Sequence, residues 1–208
     1  MKITSIEPQK LNAERVNVHV DGTFRLALAA ELVWAEPLRV GDEVDDERLA
    51  ALEAKDRGWK ARDAALSLLS HRARSSSELK RRLARKGYDA DVADETVERL
   101  SGLGVVDDAA FAESFVRDRV RLRPRGRRRL AGELRAKGVD ADVARAAIEG
   151  VMEAEATSDL DLARQAAARW KPRPGEDPRR ARNRLHAFLA RRGFGSEAIR
   201  TVVHERIP

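Results

Sequence analysis

The sequence predicts a mainly α protein: an elongated tandem array of three-helix repeats with a small N-terminal antiparallel β-sheet cap. Three observations carry this. The stretch Leu83-Ala84-Arg85-Lys86-Gly87-Tyr88-Asp89-Ala90-Asp91-Val92 returns 51 residues later as Leu134 to Val143, and again, more loosely, 55 residues beyond that as Leu189 to Ala198. Apolar and polar residues alternate on both sides of Asp21-Gly22, a two-residue hairpin signal. Charged residues make up 37% of the chain and only nine residues are aromatic, so the core falls to Leu, Val and Ala on small, closely packed helices.

Each copy of the repeated stretch reads as a helix end, a turn and a new helix start. Its glycine takes the C′ position, where the backbone turns left-handed, and Tyr88, Val139 or Phe194 follows at C″ to pack back on the finished helix. Asp89 or Asp91, Asp140 or Asp142, and Ser196 are candidate caps for the next helix. Leu79, Leu130 and Leu185 lie eight before the glycines, Leu83, Leu134 and Leu189 four before, and Val97, Ile148 and Val203 ten after. Self-similarity at this period marks a repeat architecture whose short units bury one another's faces.

In chain order, residues 1–45 form the small sheet region: strands 16–20 and 23–28 flank the hairpin turn, residues 2–6 add a third strand, 29–35 make a two-turn helix, and 40–44 a short turn or strand. Residues 46–106 hold a linking helix and the first repeat. Gly58 is expected to break or bend that helix between 46–55 and 59–71. Ser75-Ser76-Ser77-Glu78 fits a capping box for a helix ending at Lys86, and the third helix covers 91–100. The second repeat spans 107–154, with helices to 122, over 127–137 and over 142–153, broken at Pro124-Arg125-Gly126. The third spans 155–208, with helices 158–170, 179–191 and 196–206 and a Pro/Gly-rich loop at 171–178.

The search for an active site finds no Walker loop, dinucleotide fingerprint or nucleophile elbow. Four histidines without ligand spacing and no cysteine offer no metal site or cofactor, and the expectation is a protein that is not an enzyme. Asp107-Asp108 could hold a cation, but its place before a helix reads as a cap. No apolar run approaches a membrane span and no signal peptide opens the chain, so a cytoplasmic location is expected.

Charge is the informative quantity. The chain is net +6, but residues 1–50 are net −4 and residues 51–208 net +10, which points the helical body towards a polyanion or an acidic surface. Arg117, Arg119, Arg121, Arg123, Arg125, Arg127, Arg128 and Arg129 crowd thirteen positions with Asp118 the single acid. Because this run crosses a helix end, a turn and a helix start, its guanidinium groups cannot share one helical face; they can follow a phosphate backbone or clamp carboxylates. Smaller clusters occupy the corresponding helix of the other repeats: Lys80, Arg81, Arg82, Arg85 and Lys86, and Arg179, Arg180, Arg182 and Arg184 with Arg191 and Arg192. The binding candidates are therefore Arg119, Arg121, Arg123, Arg125, Arg127, Arg128, Arg129, Lys80, Arg81, Arg180 and Arg184.

Ala65-Leu66-Ser67-Leu68-Leu69, Arg74-Ser75-Ser76-Ser77-Glu78-Leu79, Leu83-Ala84-Arg85-Lys86-Gly87 and Leu103-Gly104-Val105-Val106-Asp107-Asp108-Ala109-Ala110-Phe111-Ala112, continued by Gly126, Leu130, Glu133-Leu134 and Lys137-Gly138-Val139, resemble the RecX family of bacterial RecA regulators. The resemblance is strongest over residues 60–150. It implies a cytoplasmic, non-enzymatic protein that binds the RecA filament on single-stranded DNA, inhibits ATP hydrolysis and strand exchange, and binds DNA itself, single-stranded and possibly duplex. With no heptad seam for dimerisation, the expected state is a monomer. The other reading left open by the residues is a helical duplex-DNA transcriptional regulator presenting a recognition helix.

Overall fold

The computed structural model describes residues 1–207. Strands β1 (Ile3–Gln9), β2 (Asn12–Val20) and β3 (Thr23–Ala29) form an antiparallel sheet in the order β1-β2-β3. Asp21 and Gly22 both have positive φ, the condition for a type I′ turn that matches the twist of the flanking strands. Pro8 lies within β1, which is tolerated because β1 is an edge strand. Residues 40–44 do not form a strand of their own but bond to the chain start, through Gly41 N to Ile3 O, Ile3 N to Asp42 O and Val44 N to Met1 O.

Ten helices follow among the described residues: α1 (Ala30–Ala35), α2 (Asp46–His71), α3 (Ser76–Arg85), α4 (Ala90–Gly102), α5 (Asp108–Leu122), α6 (Arg127–Ala136), α7 (Ala141–Ala154), α8 (Asp159–Ala168), α9 (Pro178–Arg191) and α10 (Ser196–Arg206). The break expected at Gly58 is absent, and α2 runs through it unbroken. A lone mid-helix glycine costs about 1 kcal/mol, which the buried stripe of Leu49, Leu52, Asp56, Ala61 and Ala65 outweighs.

The three repeated turns close as Schellman motifs. Tyr88, Val139 and Phe194 donate their N–H to the carbonyls of Leu83, Leu134 and Leu189, and Gly87, Gly138 and Gly193 have φ of 92, 80 and 81°. A fourth helix end, at α7, makes the same bonds with Ala156 at C′ and φ of 45°. Since Ala156 is exposed and its methyl makes the left-handed backbone costly, Ala156→Gly is expected to raise stability by about 1 kcal/mol in a urea melt.

Two compact units result. One comprises Met1–Arg72 and Leu79–Leu103, the other Ala73–Glu78 and the chain from Gly104 onward. In the first, the sheet buries Ile3, Val18, Val20, Leu26 and Leu28 against Leu32, Leu38, Val44, Leu49 and Leu52. In the second, a single core runs from Phe111 to Val202, so α5–α7 and α8–α10 share it rather than owning one each.

Candidate nucleic-acid interface

The arginine run lies in the second unit, and its position is fixed by a backbone joint. Gly126, the N-cap residue of α6, sits so close to the α9–α10 turn that a Cβ would overlap the Gly193 carbonyl and the Phe194 nitrogen. Its N–H donates to the Arg192 carbonyl at 2.9 Å. Asp159, in the first turn of α8, ties both sides together by accepting from Arg127 N at 3.1 Å and Gly195 N at 2.8 Å. Gly195 is therefore the N-cap residue of α10, and Ser196, expected as the cap, is the first residue inside the helix.

Asp108 repeats the role of Asp159 51 positions earlier, accepting from Ser76 N at 2.7 Å and Ser76 Oγ at 2.6 Å. Ser75 Oγ donates to the Lys137 carbonyl at 2.6 Å and accepts from Glu78 N. Asp107 alone caps α5, taking the N–H groups of Ala109 and Ala110. The Asp107-Asp108 pair is thus divided between a helix cap and a tertiary bond.

Two carboxylates absorb half of the arginine run. Glu133 on α6 binds Arg119 at 3.0 Å and Arg129 at 2.9 Å. Burial alone would raise the pKa of Glu133, but the two guanidinium groups outweigh it and hold the carboxyl below its usual range. Glu155, just past α7, takes Arg121 through two nitrogens at 2.7 and 3.2 Å, with Arg117 at 3.9 Å. Arg119 also lies over the Phe115 ring.

The guanidinium groups of Arg123, Arg125, Arg127 and Arg128 make no ion pair among the described residues. Arg123, Arg127 and Arg128 are exposed; Arg125 is half-buried, and its Nε is shut off from solvent without a hydrogen-bond partner. The sequence groups these eight arginines in one run, and the structure separates them into four neutralised and four unpaired.

The outlying candidates divide in the same way. Lys80 pairs with Asp94 at 2.9 Å, whereas Arg81 is exposed and makes no ion pair among the described residues. Arg180 is exposed, and its backbone N–H donates to the α9 cap Asp177. Arg184 is engaged internally. It grips Glu176 at 2.7 and 3.0 Å, reaches the Lys171 carbonyl and covers the Trp170 ring, so it fastens the 171–178 loop.

Arg192 enters the site beside these. It stacks over Phe188 with 3.6 Å to the ring centroid, and its pKa is drawn down by burial first and then by Arg125 and Arg191. The i, i+4 spacing of Phe188 and Arg192 is the sequence signal for the stack. Its approach to Arg125, 67 positions away, has none.

Comparison with known proteins covers nearly the whole chain. Residues 1–45 match the regulatory protein RecX N-terminal domain, and 61–100, 107–148 and 157–203 match the first, second and third RecX three-helix domains. Regulatory protein RecX of Clostridium botulinum (strain Alaska E43 / Type E3) is 33% identical over 205 residues, 98% of this chain and 95% of that protein. Its counterpart in Mycolicibacterium vanbaalenii is 41% identical over 146 residues, 68% of this chain and 79% of the relative. A crystal structure of regulatory protein RecX shares the fold with a TM-score of 0.78 at 24% identity, covering 97% of this chain and 98% of that one. RecX from Lactobacillus salivarius superposes with a TM-score of 0.58 at 25% identity, over 73% of this chain and 97% of its own. Domain for domain and over almost its full length, this chain belongs to the RecX family of regulatory proteins.

Proposed function

We propose that this protein is a negative modulator of RecA, binding the RecA filament on single-stranded DNA and inhibiting its ATP hydrolysis and strand exchange. The observation that carries the reading is the set of unpaired arginines around Gly126: charge left uncompensated inside a folded unit destabilises it unless a partner supplies anions. A repeating phosphate backbone supplies them at regular intervals. The protein acts as a cytoplasmic monomer without catalysis of its own, and Arg81 and Arg180 add cationic contacts.

Single-stranded-DNA-dependent ATP hydrolysis by RecA, measured as this protein is titrated in, tests the proposal. Inhibition well below one molecule per RecA is expected; an unchanged rate sinks it, and a discrete footprint on duplex DNA would favour the transcriptional reading instead. Replacing Arg123, Arg125, Arg127 and Arg128 together by Ala is expected to weaken oligonucleotide binding by on the order of 10²-fold at ~0.1 M salt, given a salt slope of roughly 0.7 per contact on single strands. Helicity by circular dichroism should persist, because none of the four side chains makes an internal ion pair among the described residues.

A further inference from the structure

Resting on the DNA-binding part of that reading, we propose that Arg125 and Arg192 form a clamp for one phosphodiester group of a single-stranded polynucleotide. The two residues come from opposite sides of the Gly126–Gly193 joint, and that joint holds their backbones rigidly: Gly126 N bonds the carbonyl of Arg192 itself. They are close enough that Arg125 disfavours the charge on Arg192, with Arg191 adding to the repulsion. No acid answers them among the described residues. Asp159, whose carboxylate lies at the joint, has its oxygens taken by the N–H groups of Arg127 and Gly195.

The geometry of each side chain favours an oxyanion. The Arg125 Nε is buried with no hydrogen-bond partner, a cost of the kind that persists in folded proteins at ligand sites. The Arg192 Cζ sits 3.6 Å from the Phe188 ring centroid, a cation–π contact that restricts where its guanidinium fork can lie before anything binds. A tetrahedral phosphate has two non-bridging oxygens, one for each fork, and arginine remains protonated throughout the physiological range. Arg123, Arg127 and Arg128, unpaired on the same turn, continue the cationic path for neighbouring phosphates. A lone carboxylate of a protein partner would leave that continuation unused, which favours the polymer.

The test compares the full chain with R125Q, R192Q and the double variant, binding a fluorescent oligo-dT 20-mer across a KCl series. Each single variant is expected to flatten the plot of log affinity against log salt by about 0.7, one phosphate on a single strand. The double variant should flatten it no further, because both arginines hold the same group. Additive losses would mean two separate contacts and overturn the clamp. Unchanged slopes with wild-type binding intact would overturn it too, and if inhibition of RecA is nevertheless lost, the partner of these arginines is an acidic protein surface. Melting temperatures in inorganic phosphate against chloride at matched ionic strength give a readout without DNA. Phosphate should raise the melting temperature of the wild type and leave the double variant unmoved, and equal responses overturn the proposal. If the wild type fails to bind oligo-dT yet shows the phosphate shift, the functional reading falls and the anion site stands.

Discussion

Asp56→Ala is expected to destabilise the sheet-bearing unit by about 3–5 kcal/mol, the usual cost of leaving one half of a buried ion pair uncompensated. The side chain of Asp56 is 4% exposed and bolts α2 to the sheet. It accepts from Arg15 on β2 through both terminal nitrogens, at 2.6 and 3.0 Å, from the N–H of Ala29 at 2.8 Å, and from Lys60 at 2.9 Å. Removal leaves the half-buried Arg15 guanidinium without a counter-charge, bonded to the Ala27 carbonyl alone, and orphans the buried Ala29 N–H. Urea denaturation measures the loss; a change below about 1 kcal/mol, the size of an ordinary surface ion pair, would show that the sheet is held by its apolar face alone.

The same residue sets an acid response. Burial by itself would raise its pKa, but Arg15, Lys60 and the Ala29 N–H together overcome that and leave it below the ordinary aspartate value. A depressed folded-state pKa means that the stabilisation is fully present above the unfolded value, about 3.9, and is lost as pH falls through the lower folded one. Wild type is therefore expected to lose stability steeply below about pH 4, whereas Asp56→Asn, already weakened at neutrality, should lose less over that interval.

Gly126→Ala is expected to cost about 3 kcal/mol, although alanine tolerates the local backbone, with φ of −75°, without strain. The penalty is steric. The added methyl would meet main-chain atoms of Gly193 and Phe194, which no side-chain rotation can move aside. Relief requires α6 and the α9–α10 turn to part, breaking the Gly126 to Arg192 hydrogen bond and pulling Arg125 away from Arg192. Gly132→Ala is the control. It lies exposed within α6, a Cβ there meets nothing within 4 Å, and it should stabilise by up to about 1 kcal/mol. Equal effects of the two substitutions on the thermal midpoint would show that the joint yields to a methyl group.

Features written within a few residues of one another were legible in the sequence. The Schellman turns at Gly87, Gly138 and Gly193 and the Asp21-Gly22 hairpin depend on local backbone chemistry and lie where the residues place them. Gly58 misled because a local propensity of about 1 kcal/mol is small beside the burial of a helix face. The candidate site was legible as a concentration of charge but not as an arrangement. Which arginines are neutralised depends on Glu133 and Glu155, 14 and 34 positions from Arg119 and Arg121, and no periodicity links them. Asp56 hid for a related reason: four and seven residues after Leu52 and Leu49, it falls on the apolar stripe of α2 and becomes intelligible once Arg15 is seen opposite.

The continuous interior from Phe111 to Val202 should make the helices from α5 to α10 melt as a single cooperative block. Backbone amides in α5 and in α10 should then exchange with deuterium through the same rare opening. A fault as distant as Val202 would dissolve the arginine turn along with itself, so damage there would masquerade as a lesion in ligand recognition.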